Sequence, residues 1–318
     1  MSDRIAVLGP GLCGLAAAYF LAKSGRKVVL LDWQEGRDPV GDWFQFERTA
    51  FDRFSPCIES GDKSALDLIR DLGLPAELRW RTSAAGNAWF PWKKKRSAFL
   101  NGGSVRLTEE LFDAIKAMGV EVRHTAEPLL LEQREESVRW IADGREESFA
   151  AMLIAAPSAA VDRFTRGRIA QVLEPRNASQ ITSIAIVSET PVFNYAKEDC
   201  FVSAHSGSHV IHLREASLGC DADVALAALR RMAAGCAEFQ PSAVLKIVSS
   251  RAAKPEPRHP RLAETSVYYA SSEVASGQSW NALIECARRA ADVMLRDVPA
   301  KRAQPALMAL SARRQALQ

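Results

Sequence analysis

The sequence predicts an α/β fold that opens on a strand, a helix and a second strand, and three observations carry that expectation. Arg4 to Leu8 is a short apolar run that ends abruptly in Gly9-Pro10-Gly11. An Ala-rich segment with apolar residues at helical spacing follows and stops at Gly25. Lys27 to Leu31 is then a second apolar run, and it closes on Asp32.

The turn Gly9-Pro10-Gly11-Leu12-Cys13-Gly14 gives this unit its chemistry. Gly9 permits a tight exit from the strand, Gly11 allows backbone to approach a pyrophosphate, and Gly14 allows the helix to pack closely on the sheet. Amides at the helix start face the phosphates, where the helix dipole also favours negative charge. Asp32 stands at the end of the second strand, placed to accept hydrogen bonds from a ribose diol. With strand, helix and acid in this order, the expectation is a Rossmann-like dinucleotide-binding unit. The alternative is an α/β domain that keeps the fold without the ligand.

Composition narrows the class. A chain of 318 residues is long enough for a large core in one or two intimately built domains. Its 41 basic residues nearly balance 38 acidic ones, leaving a net charge of +3 that gives no reason to expect nucleic acid. Six cysteines, at 13, 57, 200, 220, 236 and 286, have no CxxC or metal-ligand spacing and suit a reducing compartment. Cys13 reads as a small residue at a crowded turn. The apolar N-terminus runs through three glycines into a second strand, so it reads as fold and not as a signal peptide. No run is long enough to span a bilayer, and the expected location is cytoplasmic.

The remaining elements follow in order. Trp33 to Trp43 is polar and turn-rich, hence a loop. Trp43, Phe44, Phe46, Phe51 and Phe54 bring a density of aromatics that reads either as a buried layer beneath a loop or as the wall of a cleft. Ser64 to Leu72 has helical periodicity and ends at Gly73. Trp80, Trp89, Phe90 and Trp92 surround a polar turn, and Lys93-Lys94-Lys95-Arg96 after them reads as a solvated loop. Asn101-Gly102-Gly103-Ser104 opens a helix to Met118, and Val120 to His124 alternates as a strand. Strands are expected around Leu129 to Leu131, Ser137 to Ala142 and Arg145 to Phe149, with a turn at Asp143-Gly144. Ala151 to Ala156 is the continuous apolar run of a buried parallel strand that rejoins the first sheet. Ile181 to Val187 reads as a strand, Val192 to Arg214 alternates weakly, and Asp221 to Ala237 reads as a helix. Val267 to Ala270, a small-residue loop, and a helix from Trp280 to Leu295 repeat the N-terminal grammar. They bring a second helix start toward the same site. Of the five histidines, His205 and His209 fall on one face if a single strand carries them, with His212 on the other. No carboxylate or cysteine accompanies them, so no metal site is expected.

Taken together these pieces resemble the FAD-dependent amine oxidase superfamily, and within it the protoporphyrinogen-oxidase-like and phytoene-desaturase-like proteins. The matching blocks are the glycine turn with Asp32, Asp62 to Trp80, Asn101 to Ser104, the strand ending Ala155-Ala156-Pro157, and Val267 to Ala291. The resemblance implies FAD as cofactor, held by a glutathione-reductase-like FAD/NAD(P)-binding domain beside a reduced β-rich substrate domain. The division expected is 1–75 with 101–160 and 262–296 for the cofactor, 76–100 with 161–261 for the substrate, and 297–318 as a peripheral tail. The implied cofactor-binding set is Gly9, Gly11, Leu12, Cys13, Gly14, Asp32, Trp33, Gly41 and Glu273. Lys254 lies before the final strand, where several amine oxidases carry a lysine near the flavin.

The chain also departs from the family pattern. The acid is Asp32 where members more often have Glu, and the Gly-Gly-Arg that follows it there reads Val40-Gly41-Asp42 here. A glycine pair expected near Thr49-Ala50 is missing, and the C-terminal Gly-Asp reads Ser271-Ser272-Glu273, with Glu273 one step along. The expected function is oxidation of a C–N or C–C bond of a small molecule by a flavin, which supplies the redox chemistry itself. One alternative is a degenerate relative acting as a binding or partner subunit. The other is a non-redox flavin enzyme resembling sugar-nucleotide mutases, with the basic run at 93–96 for phosphates. A homo-oligomer or partner complex is compatible with either.

Overall fold

The computed structural model describes residues 3–32, 43–46, 49–52, 57–82, 96–124, 130–134, 137–156, 178–188, 200–205, 208–214, 243–252, 260–262, 265–271, 274–275 and 279–298. In chain order, β1 (Arg4–Leu8), α1 (Leu12–Lys23) and β2 (Lys27–Asp32) form the expected opening unit. β3 (Trp43–Phe46), β4 (Thr49–Asp52), β5 (Cys57–Glu59), α2 (Lys63–Asp71), β6 (Leu78–Thr82) and β7 (Arg96–Leu100) follow. Next come α3 (Gly103–Ala117), β8 (Glu121–His124), β9 (Leu130–Arg134), β10 (Ser137–Ala142), β11 (Arg145–Phe149) and β12 (Ala151–Ile154). β13 (Ala178–Ser188), β14 (Cys200–His205), β15 (Ser208–Arg214), β16 (Ala243–Ala252), β17 (Val267–Tyr269) and α4 (Trp280–Asp297) complete the described elements.

The site is positioned by a five-stranded parallel sheet in the order β17-β12-β1-β2-β8. Side chains alternate across it, as a period of two requires. Ile5, Val7, Val28, Leu30, Leu153 and Tyr268 join the core beneath α1, α2, α3 and α4. Ala6, Leu8, Val29, Leu31, Met152, Ile154 and Tyr269 join a second core with Val138, Trp140 and Phe149 of the antiparallel sheet β11-β10-β9. The parallel sheet is therefore the middle of three layers and buried on both faces, which explains its uninterrupted apolar runs. Each fully buried Leu, Ile or Phe contributes about 1.5–3 kcal/mol. The ion pairs that join Glu147 of β11 to Arg4 and Arg123 are partly exposed, at about 0–1 kcal/mol each, so they orient the layers more than they stabilise them.

Several expectations change. The aromatic segment at 43–54, read either as a buried layer beneath a loop or as the wall of a cleft, contains the β3–β4 hairpin, with Trp43 opposite Asp52 and Phe46 opposite Thr49. Between 57 and 100 three short strands form an antiparallel sheet, β5-β7-β6. Arg96, assigned by sequence to a basic loop, starts β7 and stacks its guanidinium over the exposed Trp80 ring at 5.4 Å. His205 and His209 lie on separate strands of the β14–β15 hairpin, paired with Ser208 and Ala204. β16 pairs with β13 over ten residue pairs and completes the sheet β14-β15-β13-β16. Asp297, placed by sequence in the tail, ends α4 and accepts a hydrogen bond from the Tyr268 hydroxyl at 3.0 Å. The expected helix at 221–237, Lys93 to Lys95, and 299–318 lie outside the described residues.

Candidate functional site

The carboxyl ends of β2, β1, β12 and β17 meet at one edge of the parallel sheet, where open α/β sheets hold their ligands. Three backbone bonds fix this edge. The Gly9 amide donates to Leu31 O at 3.0 Å, Ala155 N to Leu8 O at 2.8 Å, and Ala270 N to Ile154 O at 2.9 Å. Gly9 leaves the strand at φ +109°, where a Cβ would also lie 2.9 Å from the Ala155 carbonyl oxygen. At Gly14 a Cβ would lie 1.9 Å from Gly9 O and 3.1 Å from Ala155 Cβ. The first turn of α1 thus rests directly on the turn that precedes it, a packing only hydrogen at position 14 allows.

Gly11 is the N-cap of α1, with no side-chain capping bond and no acid in the first turn. The positive end of the helix is left for an external anion to complement. Leu12 and Cys13 point their side chains into the core. The Cys13 thiol donates toward Ala270 O at 3.4 Å and Leu283 O at 3.6 Å, joining the glycine turn to β17 and α4. Cys286, on the next turn of α4, is also buried. The neighbouring Cys13 side chain, and with it the Arg289 guanidinium and the Ser271 N–H, holds the Cys286 thiol below its ordinary value against the opposing effect of burial.

Asp32 ends β2 with only 3% of its surface exposed. Its Oδ2 lies 3.1 Å from Nδ1 of His124, the residue opposite it in the β2–β8 register. The His124 side chain is 74% exposed, so the carboxylate is buried while its partner faces solvent. At the other end of the edge, Ser271 Oγ donates to the Tyr269 hydroxyl at 2.9 Å, both groups being buried. Ser279 caps α4, its hydroxyl accepting from Ala282 N at 3.2 Å.

The structure therefore brings Gly9, Gly11, Leu12, Cys13, Gly14 and Asp32 to one edge. Trp33, Gly41, Lys254 and Glu273 lie outside the described residues. Sequence reading missed His124, which it treated only as a strand end, and the approach of Cys286 to Cys13. The order of strands and the docking of α4 decide both, and no local pattern records either. Among the described residues, no group of three or more His, Cys, Asp or Glu is placed to hold a metal ion, and no helix is long and apolar enough to cross a membrane.

The arrangement matches known proteins at the level of fold. A family model described as an NAD(P)-binding Rossmann-like domain matches residues 7–54. Wild-type putrescine oxidase bound to putrescine is 14% identical, with 93% of this chain and 99% of that one covered and a TM-score of 0.61. L-proline dehydrogenase from P. horikoshii is 10% identical over 93% of this chain and 94% of that one, with a TM-score of 0.65. The Diels-Alderase of the pyrroindomycin biosynthetic pathway is 18% identical over 96% of this chain and 68% of that one, with a TM-score of 0.58. No curated protein matches the sequence. The chain thus has the Rossmann-like α/β fold expected from its glycine turn, shared nearly end to end with amine- and proline-oxidising enzymes.

Proposed function

We propose that this protein binds FAD and oxidises a C–N or C–C bond of a small molecule. The observation that carries the reading is the cradle at Gly9 and Gly14, where any Cβ would strike backbone, set beside a buried acid at the end of β2. A fold shared with putrescine oxidase and L-proline dehydrogenase supports the redox direction.

In this reading the amides at the start of α1 hold the pyrophosphate, with Gly9, Gly11, Leu12, Cys13 and Gly14 contributing backbone and the helix dipole favouring its charge. Asp32 accepts from the adenosine ribose, its carboxylate oriented by His124. Trp33, Gly41 and Glu273 are the further cofactor contacts that the family resemblance implies, and Lys254 is the residue it implies beside the flavin. Residues 76–100 and 161–261 form the substrate domain. Bound FAD supplies the two-electron acceptor, so the chain needs only to hold the substrate bond against it and to keep water away.

The deciding experiment is an absorbance spectrum of natively purified protein over about 300 to 550 nm, repeated after incubation with FAD and desalting. Stoichiometric flavin that is bleached anaerobically by an amine or a saturated substrate supports the proposal. Flavin that no such substrate reduces moves the reading to a non-redox flavin enzyme, and no flavin in either sample moves it to a partner subunit on an emptied scaffold.

A further inference from the structure

The carboxyl end of β17 adjoins the glycine turn. Ala270 N donates to Ile154 O at 2.9 Å, and Ala270 O accepts from the Cys13 thiol at 3.4 Å. A period of two places Tyr269 and Ser271 on one face of this strand end and Ala270 on the other, toward the helices. Tyr269 belongs to the core shared with Val138, Trp140 and Phe149, and it and Ser271 are both buried. Ser271 Oγ donates to the Tyr269 hydroxyl at 2.9 Å. The Ser271 carbonyl accepts from Val274 N at 3.2 Å and Ala275 N at 3.0 Å, which fixes its backbone in a turn. What remains adjustable in Ser271 is a single rotor, χ1, and the Tyr269 hydroxyl holds it.

We infer that Tyr269 is a positioning residue for the cofactor and acts through Ser271: its hydroxyl keeps the serine side chain turned into the core and leaves backbone at the end of β17. The inference rests on the proposed function, in which a dinucleotide lies along this edge beside the glycine turn. A serine hydroxyl both donates and accepts, and it needs a partner wherever it points. Bonded to Tyr269 it has that partner before the cofactor arrives, and binding leaves the pair undisturbed. Without the tyrosine hydroxyl, χ1 is free to turn Oγ toward the open edge, where water satisfies it. A cofactor settling on the edge then strips that water and leaves a polar group unmet. The clasp therefore pre-organises the strand end. Removing both hydroxyls has a different consequence from removing one, because two apolar side chains of the same shape leave no polar group behind.

The test is a double-mutant cycle on FAD affinity, read by fluorescence titration of the full-length deflavinated protein, with urea unfolding of each variant alongside. Tyr269→Phe should bind FAD about tenfold more weakly than wild type, the scale of one unmet hydroxyl. Ser271→Ala should stay within about twofold of wild type, since it removes the group that Tyr269 restrains. Tyr269→Phe combined with Ser271→Ala should also return to within about twofold, a rescue that a merely structural role for the tyrosine does not give. Equal losses in Tyr269→Phe and in the double variant overturn the inference. So does a Tyr269→Phe protein that unfolds more easily yet binds FAD as wild type does. A loss of about tenfold in Ser271→Ala overturns it as well, because Oγ then serves the cofactor directly, and this variant decides the matter where Tyr269→Phe fails to fold. Wild-type protein that takes up no FAD overturns the proposed function and the inference together, whereas wild type that binds FAD with no coupling in the cycle overturns the inference alone.

Discussion

Nδ1 of His124 and Oδ2 of Asp32 stand 3.1 Å apart across the last residue pair of the β2–β8 register. A carboxylate buried at the sheet edge is thereby met from one side by a group in solvent. In the proposed function this is the acid that grips a ribose, so its loss has a defined size. Hydrogen bonds to a charged group contribute about 1.5–3 kcal/mol, and Asp32→Asn should weaken FAD binding about 10- to 100-fold by fluorescence titration. His124→Ala removes only the exposed partner and should cost about threefold or less. Equal losses in the two variants would mean that His124 itself touches the ligand.

Gly14→Ala places a methyl group 1.9 Å from the Gly9 oxygen, a distance that only separation of α1 from the turn relieves. The expected outcome is a loss of about 3 kcal/mol or more in urea unfolding, or no folded protein. At Gly61 a Cβ meets nothing within 4 Å. There Gly61→Ala should be neutral or stabilise by about 0.4–1 kcal/mol, through the unfolded chain. A Gly14→Ala protein as stable as wild type would sink the account of the helix resting on the turn.

Burial, and then the hydrogen bond to Asp297, push the Tyr268 hydroxyl well above its ordinary value of about 10. A phenol whose titration is raised on folding stabilises the native state below its unfolded value and loses that contribution as pH rises through the folded one. Stability should therefore fall with increasing pH above about 10. Tyr268→Phe should be less stable by about 1–2 kcal/mol at neutral pH and show a shallower alkaline decline. Parallel curves for the two proteins in pH-dependent denaturation would assign the alkaline loss to other groups.

Ser279→Ala removes the hydroxyl that accepts from Ala282 N at the start of α4. Caps of this kind contribute about 1 kcal/mol, and because α4 packs against α1 the loss should appear in global unfolding and not as local fraying. Ser279→Asp, which restores an acceptor and complements the helix dipole, should recover the wild-type midpoint.

Much of this architecture was legible because the residues that build it obey long periods. The run from Arg4 to Asp32, the apolar strand at Ala151–Ile154 and the α4 stripe each signal their own geometry, and the spacing of Gly9, Gly11 and Gly14 signals a ligand. Short strands did not announce themselves. Trp43–Phe46 and Thr49–Asp52 are four residues each, too brief for a period of two to rise above aromatic content. Arg96–Leu100 begins in a basic cluster that dominated its reading, and Ala243–Ala252 mixes Lys246, Ser249 and Ser250 into an apolar run. The partners of Asp32 and Cys13 were illegible for another reason. His124 and Cys286 reach them only once strand order and helix docking are set, which are properties of the whole fold.

Because β17 completes the parallel sheet and α4 covers α1, the N-terminal glycine turn takes its final form only when the other end of the chain arrives. On a ribosome adding about 5–20 residues per second, roughly a quarter of a minute to a minute separates the emergence of Asp32 from that of Asp297. Throughout that interval α1 has an apolar flank without its cover. The glycine-turn unit is thus made well before the helix that covers it, and its apolar flank stays open until α4 arrives.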